Sequence, residues 1–491
     1  MVGHRGPQQG ELFVYLPEAP ATQAREKLRA LAAVLDFEPV RELVAPYFAA
    51  AGKPSVDPVL LSKMLLLGAL FGIDSRRELC DECADRLSFR EFLGLGLNEA
   101  VPVHSNFTNW AGRVGAEVFG ELLHGLVRQC EALGMAVSVV RSVDATLVKA
   151  QAGEQGPRVA VERAELAAYV AALLSDPATA GPAAKPADPV VLNRHDPEAR
   201  LQRKGGQPAQ FGYQVSFSSD PASGLIMDVA VTGVEEAETL AEQVAADPVG
   251  GVAEVVADSF YDRGEALAAV QALGVRTYVP EKTKRTRQIH KEAFVWDAAA
   301  DVYYCPAGRV LRRKGGPNAA GETQYRAAES ACAGCPRKAW CTTGVARTIT
   351  RCAGEEARER TARRGYRYAR RMAARQVAEH LNLLAKRDHG MRRALGVGRV
   401  AMTIQAVFVA MAINANKLLR HLQHGPRKAV ATSLRDAAQD PRRAVCGSLG
   451  QSGSRSGRRM AQAGHAGTRA PKGLPWGPGN QMLGLLPTGV I

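Results

Sequence analysis

At 491 residues with 46% apolar side chains, the chain has room for two or three domains and at least one substantial core, which excludes a small or wholly extended protein. Lysine and arginine outnumber the acids by 14, and much of the excess is local: Arg358 to Arg399 carries 13 basic residues against Glu359, Glu379 and Asp388, a bias that points to a polyanion. Nine cysteines, an odd number unevenly spread, argue against a secreted disulfide framework and for reduced thiols or a metal site.

In chain order, residues 1–135 read as an all-α domain suited to gripping a partner. Apolar positions recur at helical spacing through REKLRALAAVLDFEPVRELVAPYF, DPVLLSKMLLLGALFGI and RELCDECADRLSFREFLGL, punctuated by proline breaks. Cys80 and Cys83 lie inside that helical pattern and read as helix thiols. The longest apolar run, Val59 to Ile73, is interrupted by Lys63 and too short to span a bilayer. With no charged n-region and apolar h-region at the start, a cytoplasmic, nucleoid-associated protein without a membrane role is expected.

From Ala136 the texture changes to short β-branched runs, AVSVVRSVD, FGYQVSFS, GLIMDVAVTGV and VAEVVAD, followed by a helical pattern over Arg263 to Leu273 and by RTYVP. This order predicts an α/β domain over 136–425, a mixed sheet with flanking helices. Gly156 to Pro189 reads as an insertion whose first half is a helix and whose ATAGPAAKPADP is a linker. A basic, cysteine-bearing insert at about 281–360 interrupts the pattern, and two helices, Tyr366 to Gly390 and Val400 to Leu422, resume it. Residues 426–491 form a basic, low-complexity tail, expected to be disordered from about Val445.

Asp144 and Asp258 end two of the apolar runs, where an acid outside a strand's carboxyl end is a candidate metal ligand; a turn former or helix cap is the plainer reading of either alone. On a helix over Tyr366 to Gly390, Met372, Arg375, Glu379 and Lys386 fall within an arc of roughly 60°, one acid flanked by two bases. Three carboxylates at one sheet edge suit Mg²⁺ or Mn²⁺.

The pieces VDATLVKA, VVADSFYD and Arg375-x3-Glu379-x6-Lys386 resemble the DDE transposases of bacterial insertion sequences that carry a Tyr-x2-Arg-x3-Glu-x6-Lys signature. LFVYLPE, DPVLLSKMLLLGALFG, RELCDECADRLSFREFLGL and HSNFTNW resemble the helical N-terminal domain of that group, and DPEARLQRKGG, FGYQVSFSSD, GLIMDVAVT and NANKLLRHL extend the likeness. The resemblance implies an RNase H-like catalytic domain in which Asp144, Asp258 and Glu379 hold two divalent ions, Mg²⁺ or Mn²⁺. It also implies that Arg375 and Lys386 contact DNA phosphates, and that the partners are double-stranded terminal inverted repeats and target DNA, with a homodimer in the synaptic complex. The chain departs from the signature at Met372, which stands where the group has tyrosine. Asp262, in the variant run ADSFYDRG, is a rival for the second acid.

Within the insert, Cys305, Cys332, Cys335 and Cys341 have the donor set of a structural Zn²⁺ site, with Cys352 competing for the fourth position and reduced surface thiols as the plainer alternative. Trp296, Tyr303, Tyr304 and Trp340 either pack the insert or stack on a flipped base. The sequence thus predicts a transposase that binds terminal repeats and performs strand cleavage and transfer. A catalytically inactive transposase-derived DNA-binding protein, supported by Met372 and the tail, and a nuclease without strand transfer stay open.

Overall fold

The computed structural model describes residues 22–49, 54–151, 157–181, 185–203, 208–233, 236–281, 288–318 and 321–424. The expected tail at 426–491, most of ATAGPAAKPADP's centre and the LFVYLPE stretch lie outside the described residues.

Helices come first: α1 Gln23–Val34, α2 Pro39–Val44, α3 Pro58–Phe71, α4 Arg76–Asp85, α5 Leu87–Leu93, α6 His104–Val114 and α7 Glu117–Ala132. Thr22, Asp57 and Ser75 each accept a backbone N–H from the first turn of α1, α3 and α4, satisfying donors that a helix cannot pair within itself. The sheet begins with β1 Val140–Lys149. β2 Arg158–Glu162 and β3 Pro189–Asn193 pair outside it and bracket α8 Leu166–Ser175, the helix expected in the insertion.

β4 Arg200–Gln202 and β6 Ile226–Thr232 both pair with β5 Gln210–Ser219, which runs antiparallel to β1. On the other side of β1, β7 Glu254–Val256 and β8 Arg276–Tyr278 follow in parallel, reached through α9 Leu240–Ala245 and α10 Gly264–Ala272. Antiparallel neighbours on one side of the first strand and parallel neighbours on the other make the sheet RNase H-like.

The sheet is covered on both faces, and residue alternation along its strands says by what. Phe211, Tyr213, Val215 and Phe217 of β5 join the buried core of the N-terminal helices, whereas Val143, Val255 and Ala257 join a second core with Leu240, Leu267 and Val270 of α9 and α10. The helical layer therefore shares one continuous core with the sheet and does not hang from it as a separate body.

The insert is better built than its sequence suggests. β9 Val295–Asp297, β10 Val302–Tyr304, β11 Val310–Lys314, β12 Thr323–Ala327 and β13 Thr348–Arg351 form an antiparallel sheet in sequential order, with α11 Glu329–Ala333 and α12 Lys338–Cys341 before its last strand. Its core is aromatic: Trp296, Tyr303 and Tyr325 meet with ring centroids 4.8, 5.2 and 5.3 Å apart, and the Arg351 guanidinium lies 4.4 Å over Trp296. These cross-strand ring contacts give the insert a core of its own. They also assign Trp296 and Tyr303 to packing, while Trp340 is 66% exposed.

After α13 Glu355–Arg360 come the two long helices, α14 Tyr366–Asp388 and α15 Arg399–His424. α15 is long and apolar enough to cross a membrane by length and composition, yet 83% of its apolar window is buried against α3, α7 and β6. It is the core helix of the fold. Asn414, fully buried, accepts from the Ile226 N–H and donates to the Ile226 carbonyl, both at 2.8 Å, so it closes the outer edge of β6 where no further strand could.

Candidate active site

β1 does not end at Asp144, as its sequence suggests; the strand continues to Lys149 and carries Asp144 in its middle, opposite Phe217 of β5. ATLVK stays extended because β5 pairs with it along its length. On the other side the register runs Val140 to Glu254, Arg141 to Val255 and Ser142 to Val256. Asp144 lies two residues beyond Ser142, and Asp258 two residues beyond Val256. In parallel strands equal offsets keep neighbours level and on the same face, so the two aspartates come side by side where β7 stops. Asp258 also caps the short turn Ser259–Tyr261, accepting the Phe260 N–H at 2.8 Å, as the plainer reading of that residue expects.

α14 crosses β1, β5 and β7 and is tied down at both ends. Near its start, Arg367 and Arg371 pair with Glu254, a buried acid of β7 that also accepts from the Tyr278 hydroxyl at 3.3 Å. Further on, Asn382 donates to Asp144 Oδ2 at 2.9 Å and the Lys386 ammonium donates to the Leu147 carbonyl at 2.6 Å. Glu379 sits between these anchors, exposed, with its carboxylate paired to Arg375 one turn earlier.

The electrostatics of Asp144 record the company it keeps. Burial pushes its carboxyl up to about 6; the Asn382 hydrogen bond and Arg375 pull it down, while Asp258 and Glu379 push it further up. Asp144, Asp258, Glu379 and Arg375 thus act on one another. The Lys386 ammonium, bonded to the Leu147 carbonyl, lies on the same helix stripe as Glu379 and Arg375.

Asn382 is the residue that sequence reasoning missed. It is buried one turn after Glu379, on the face turned to β1, and its Oδ1 has no partner although it is buried. Its three-residue spacing from Glu379 was the only available signal. Asp262, the rival second acid, is buried and held by Arg358 at 2.6 Å and Arg363 at 2.6 Å, so it is a structural anchor. Met372 packs with Tyr368 against Val140, Val256 and Tyr278, an apolar role at the ends of the parallel strands.

The charge bias from Arg358 to Arg399 is largely consumed within the fold. Arg358 and Arg363 hold Asp262, Arg364 pairs with Glu292, Arg367 and Arg371 with Glu254, Arg375 with Glu379, and Arg387 with Asp388. Counting basic residues in the sequence overstates what is left for a polyanion.

In the insert, Cys305, Cys332 and Cys341 border the aromatic core, and all four expected thiols are free and partly buried. Cys305 Sγ accepts the Arg309 N–H at 3.3 Å, and the Cys335 N–H closes a turn on the Cys332 carbonyl at 3.3 Å. Burial pushes the Cys341 thiol up, Arg347 pulls it down, and Cys305, Cys332 and Cys335 push it higher, so the other three lie on the same side of the insert as Cys341. Among the described residues, no three His, Cys, Asp or Glu side chains are arranged closely enough to hold a metal ion. Cys80 and Cys83 are free thiols of α4, and burial pushes Cys83 up to about 12.

Two family models match the chain: residues 18–113 match a transposase domain (DUF772), and residues 304–419 match a transposase DDE domain. Together with the RNase H-like sheet, they define the class as a DDE-type DNA transposase, an enzyme acting on DNA. The second match includes Glu379 and ends within α15, while Asp144 and Asp258 lie before it. No curated protein matches the chain. Among solved structures, the cryo-EM structure of the piggyBac transposase synaptic complex with hairpin DNA is similar at 8% identity and a TM-score of 0.33, over 81% of this chain and 74% of that one; a likeness this low carries no conclusion here.

Proposed function

We propose that this transposase cuts the terminal repeats of its own insertion sequence and joins the freed 3′ ends to target DNA, with Asp144, Asp258 and Glu379 as the carboxylates of one divalent-metal site. The observation that carries the reading is the β1–β7 register, which sets Asp144 beside Asp258 beneath the helix that bears Glu379. The fit is chemical as well: beyond burial, the charges of Asp258 and Glu379 push the Asp144 carboxyl up, a repulsion that a bound cation relieves. Mg²⁺ or Mn²⁺ bound there supplies Lewis acidity toward the scissile phosphate and the attacking oxygen.

The chain's own residues do the rest. Asn382 holds the Asp144 carboxylate in one orientation, and the two anchors of α14 fix Glu379 over the strand ends. Arg375, paired with Glu379 in the free protein, offers a guanidinium fork to a phosphate oxygen, and Lys386, on the same helix stripe, offers a compact positive charge. Water attacks phosphorus in the first step and the 3′ oxygen of the element's end leaves as a hydroxyl; in the second, that 3′ hydroxyl gives up its proton and attacks a target phosphodiester, and the target strand's own 3′ oxygen leaves and takes up a proton. A homodimer holding two ends is the working assembly, acting on DNA in the cytoplasm.

The test is joining. Wild-type protein, a labelled duplex carrying the element's end, a supercoiled target and Mg²⁺ or Mn²⁺ should yield covalently joined product, absent with EDTA. Salt-sensitive binding without any cutting would favour the second reading, a silent DNA-binding descendant, for which Met372 in place of the signature tyrosine is the specific observation.

The insert's four thiols, Cys305, Cys332, Cys335 and Cys341, are proposed as a structural zinc site. Their sulfur donors suit Zn²⁺; because no three of them lie close enough to hold an ion as they stand, zinc would have to draw the four thiols together.

A further inference from the structure

A second cleft, away from the carboxylates, lies where the two matched domains meet. It has a volume of about 1050 Å³ and is lined from one side by the starts of α4 and α6 and from the other by residues 393–401, between α14 and α15. Three arginines line it, Arg76 and Arg77 from α4 and Arg393 from the connection, against one acid, Asp74, just before α4. In a chain where most arginines near the catalytic sheet are paired, none of these three has a carboxylate partner among the described residues.

Arg76 and Arg393 are held in place although their charge is not neutralised, and Arg77 stands exposed beside Arg76. Arg76 donates to Thr108 Oγ1 at 3.2 Å, its Nε is buried without a partner, and burial pulls its pKa below the usual arginine value. Arg393 donates to the Gln151 carbonyl at 3.0 Å and rides on an extension of β1, where the Ala394 N–H bonds the Lys149 carbonyl at 2.8 Å. A half-buried guanidinium without a counter-ion is costly unless an anion completes it. The helices α4, α6 and α15 all begin at this cleft, and their N-terminal ends add to its positive potential.

We propose that this cleft seats the sugar-phosphate backbone of duplex DNA, with Arg76, Arg77 and Arg393 on its phosphates; the proposal rests on the transposase reading and adds a place for the DNA outside the cutting site. β1 ties the two places together. Gln151 follows Asp144 by seven residues, about 23 Å of extended chain at roughly 3.3 Å per residue. At about 3.4 Å per base pair that is roughly seven base pairs, so the bound phosphates lie about two-thirds of a helical turn from the scissile bond.

The test uses the full chain, a mixed-sequence duplex of about four helical turns, and affinity measured across a salt series for the wild type, Arg77→Gln, Arg393→Gln and the double variant, with Arg128→Gln of α7 as a control outside the cleft. Each cleft variant should lower the slope of log affinity against log salt by about 0.9, and the double variant by about twice that, with the control unchanged. Unfolding curves matching the wild type show that the variants fold, since Arg77 is exposed and Arg393 bonds only a backbone carbonyl. A wild-type slope retained by the double variant overturns the cleft and leaves the transposase reading standing. A wild type with no salt-sensitive duplex binding overturns both.

Discussion

Asn382 and Asp144, 238 residues apart in sequence, are joined by a 2.9 Å hydrogen bond from the amide of α14 to the carboxylate of β1. This bond sets the distance between the helix that carries Glu379 and the strand that carries the first acid. Asn382→Ala should lower cleavage by about ten- to a hundred-fold and raise the Mn²⁺ concentration needed for half-maximal rate, as loss of a residue that orients a metal ligand does. A drop in rate with an unchanged metal requirement would show that Asn382 only packs.

Glu254 is the other end of the same device. It is buried in β7 and takes Arg367 and Arg371 from α14, so Glu254→Gln leaves two guanidinium groups without a charge partner. Because Arg367 is largely exposed, solvent screens part of the loss, and a destabilisation of about 2 kcal/mol is expected. Urea unfolding of the variant against wild type measures it.

Much of this site was legible in sequence, and the exceptions have physical causes. The runs that became β1, β5, β6 and β7 announce themselves by β-branched residues bounded by turn formers, and Asp144, Asp258 and Glu379 were found on them or on the helix stripe. Asn382 was hidden because an amide inside a helix has no periodic signature; only the partner strand reveals its use. The insert sheet was hidden because strands such as VLRRK and TQYRA are short and charged, and rings contributed by β9, β10 and β12 hold them together. The arginine excess misled in degree, since buried acids such as Asp262 and Glu254 absorb much of it.

His124 of α7 bonds Asp228 of β6 at 3.0 Å and links the helical layer to the sheet. Burial works to lower its pKa, but the bond and charge of Asp228, with Glu121, raise it above the usual histidine value. A raised folded-state pKa contributes stability that is full below the unfolded value of about 6.5 and is lost as pH rises through the folded one. The urea midpoint should therefore fall as pH rises through the neutral range, and Asp228→Asn should flatten that dependence.

Asn414 satisfies both backbone groups of Ile226 from a fully buried position. Asn414→Ala leaves a buried N–H and a buried carbonyl unpaired and adds a void, at a cost of about 2–4 kcal/mol. Calorimetric unfolding should show the loss, and a stability within error of wild type would mean that water replaces the side chain.

For the insert, metal analysis of protein purified without chelator should find about one zinc per chain, lost in a Cys332→Ser, Cys335→Ser double variant. Zinc absent from the wild type after growth in zinc-replete medium would leave the four thiols as reduced packing residues.

The most direct test of the carboxylate site is Mn²⁺-dependent cleavage of an end-bearing duplex by Asp144→Ala, Asp258→Ala and Glu379→Ala, each measured beside its DNA binding. If the three acids serve one metal site as proposed, each variant should lose cleavage by about a thousand-fold or more while keeping near wild-type affinity. Wild-type cleavage by any one of the three would contradict that site.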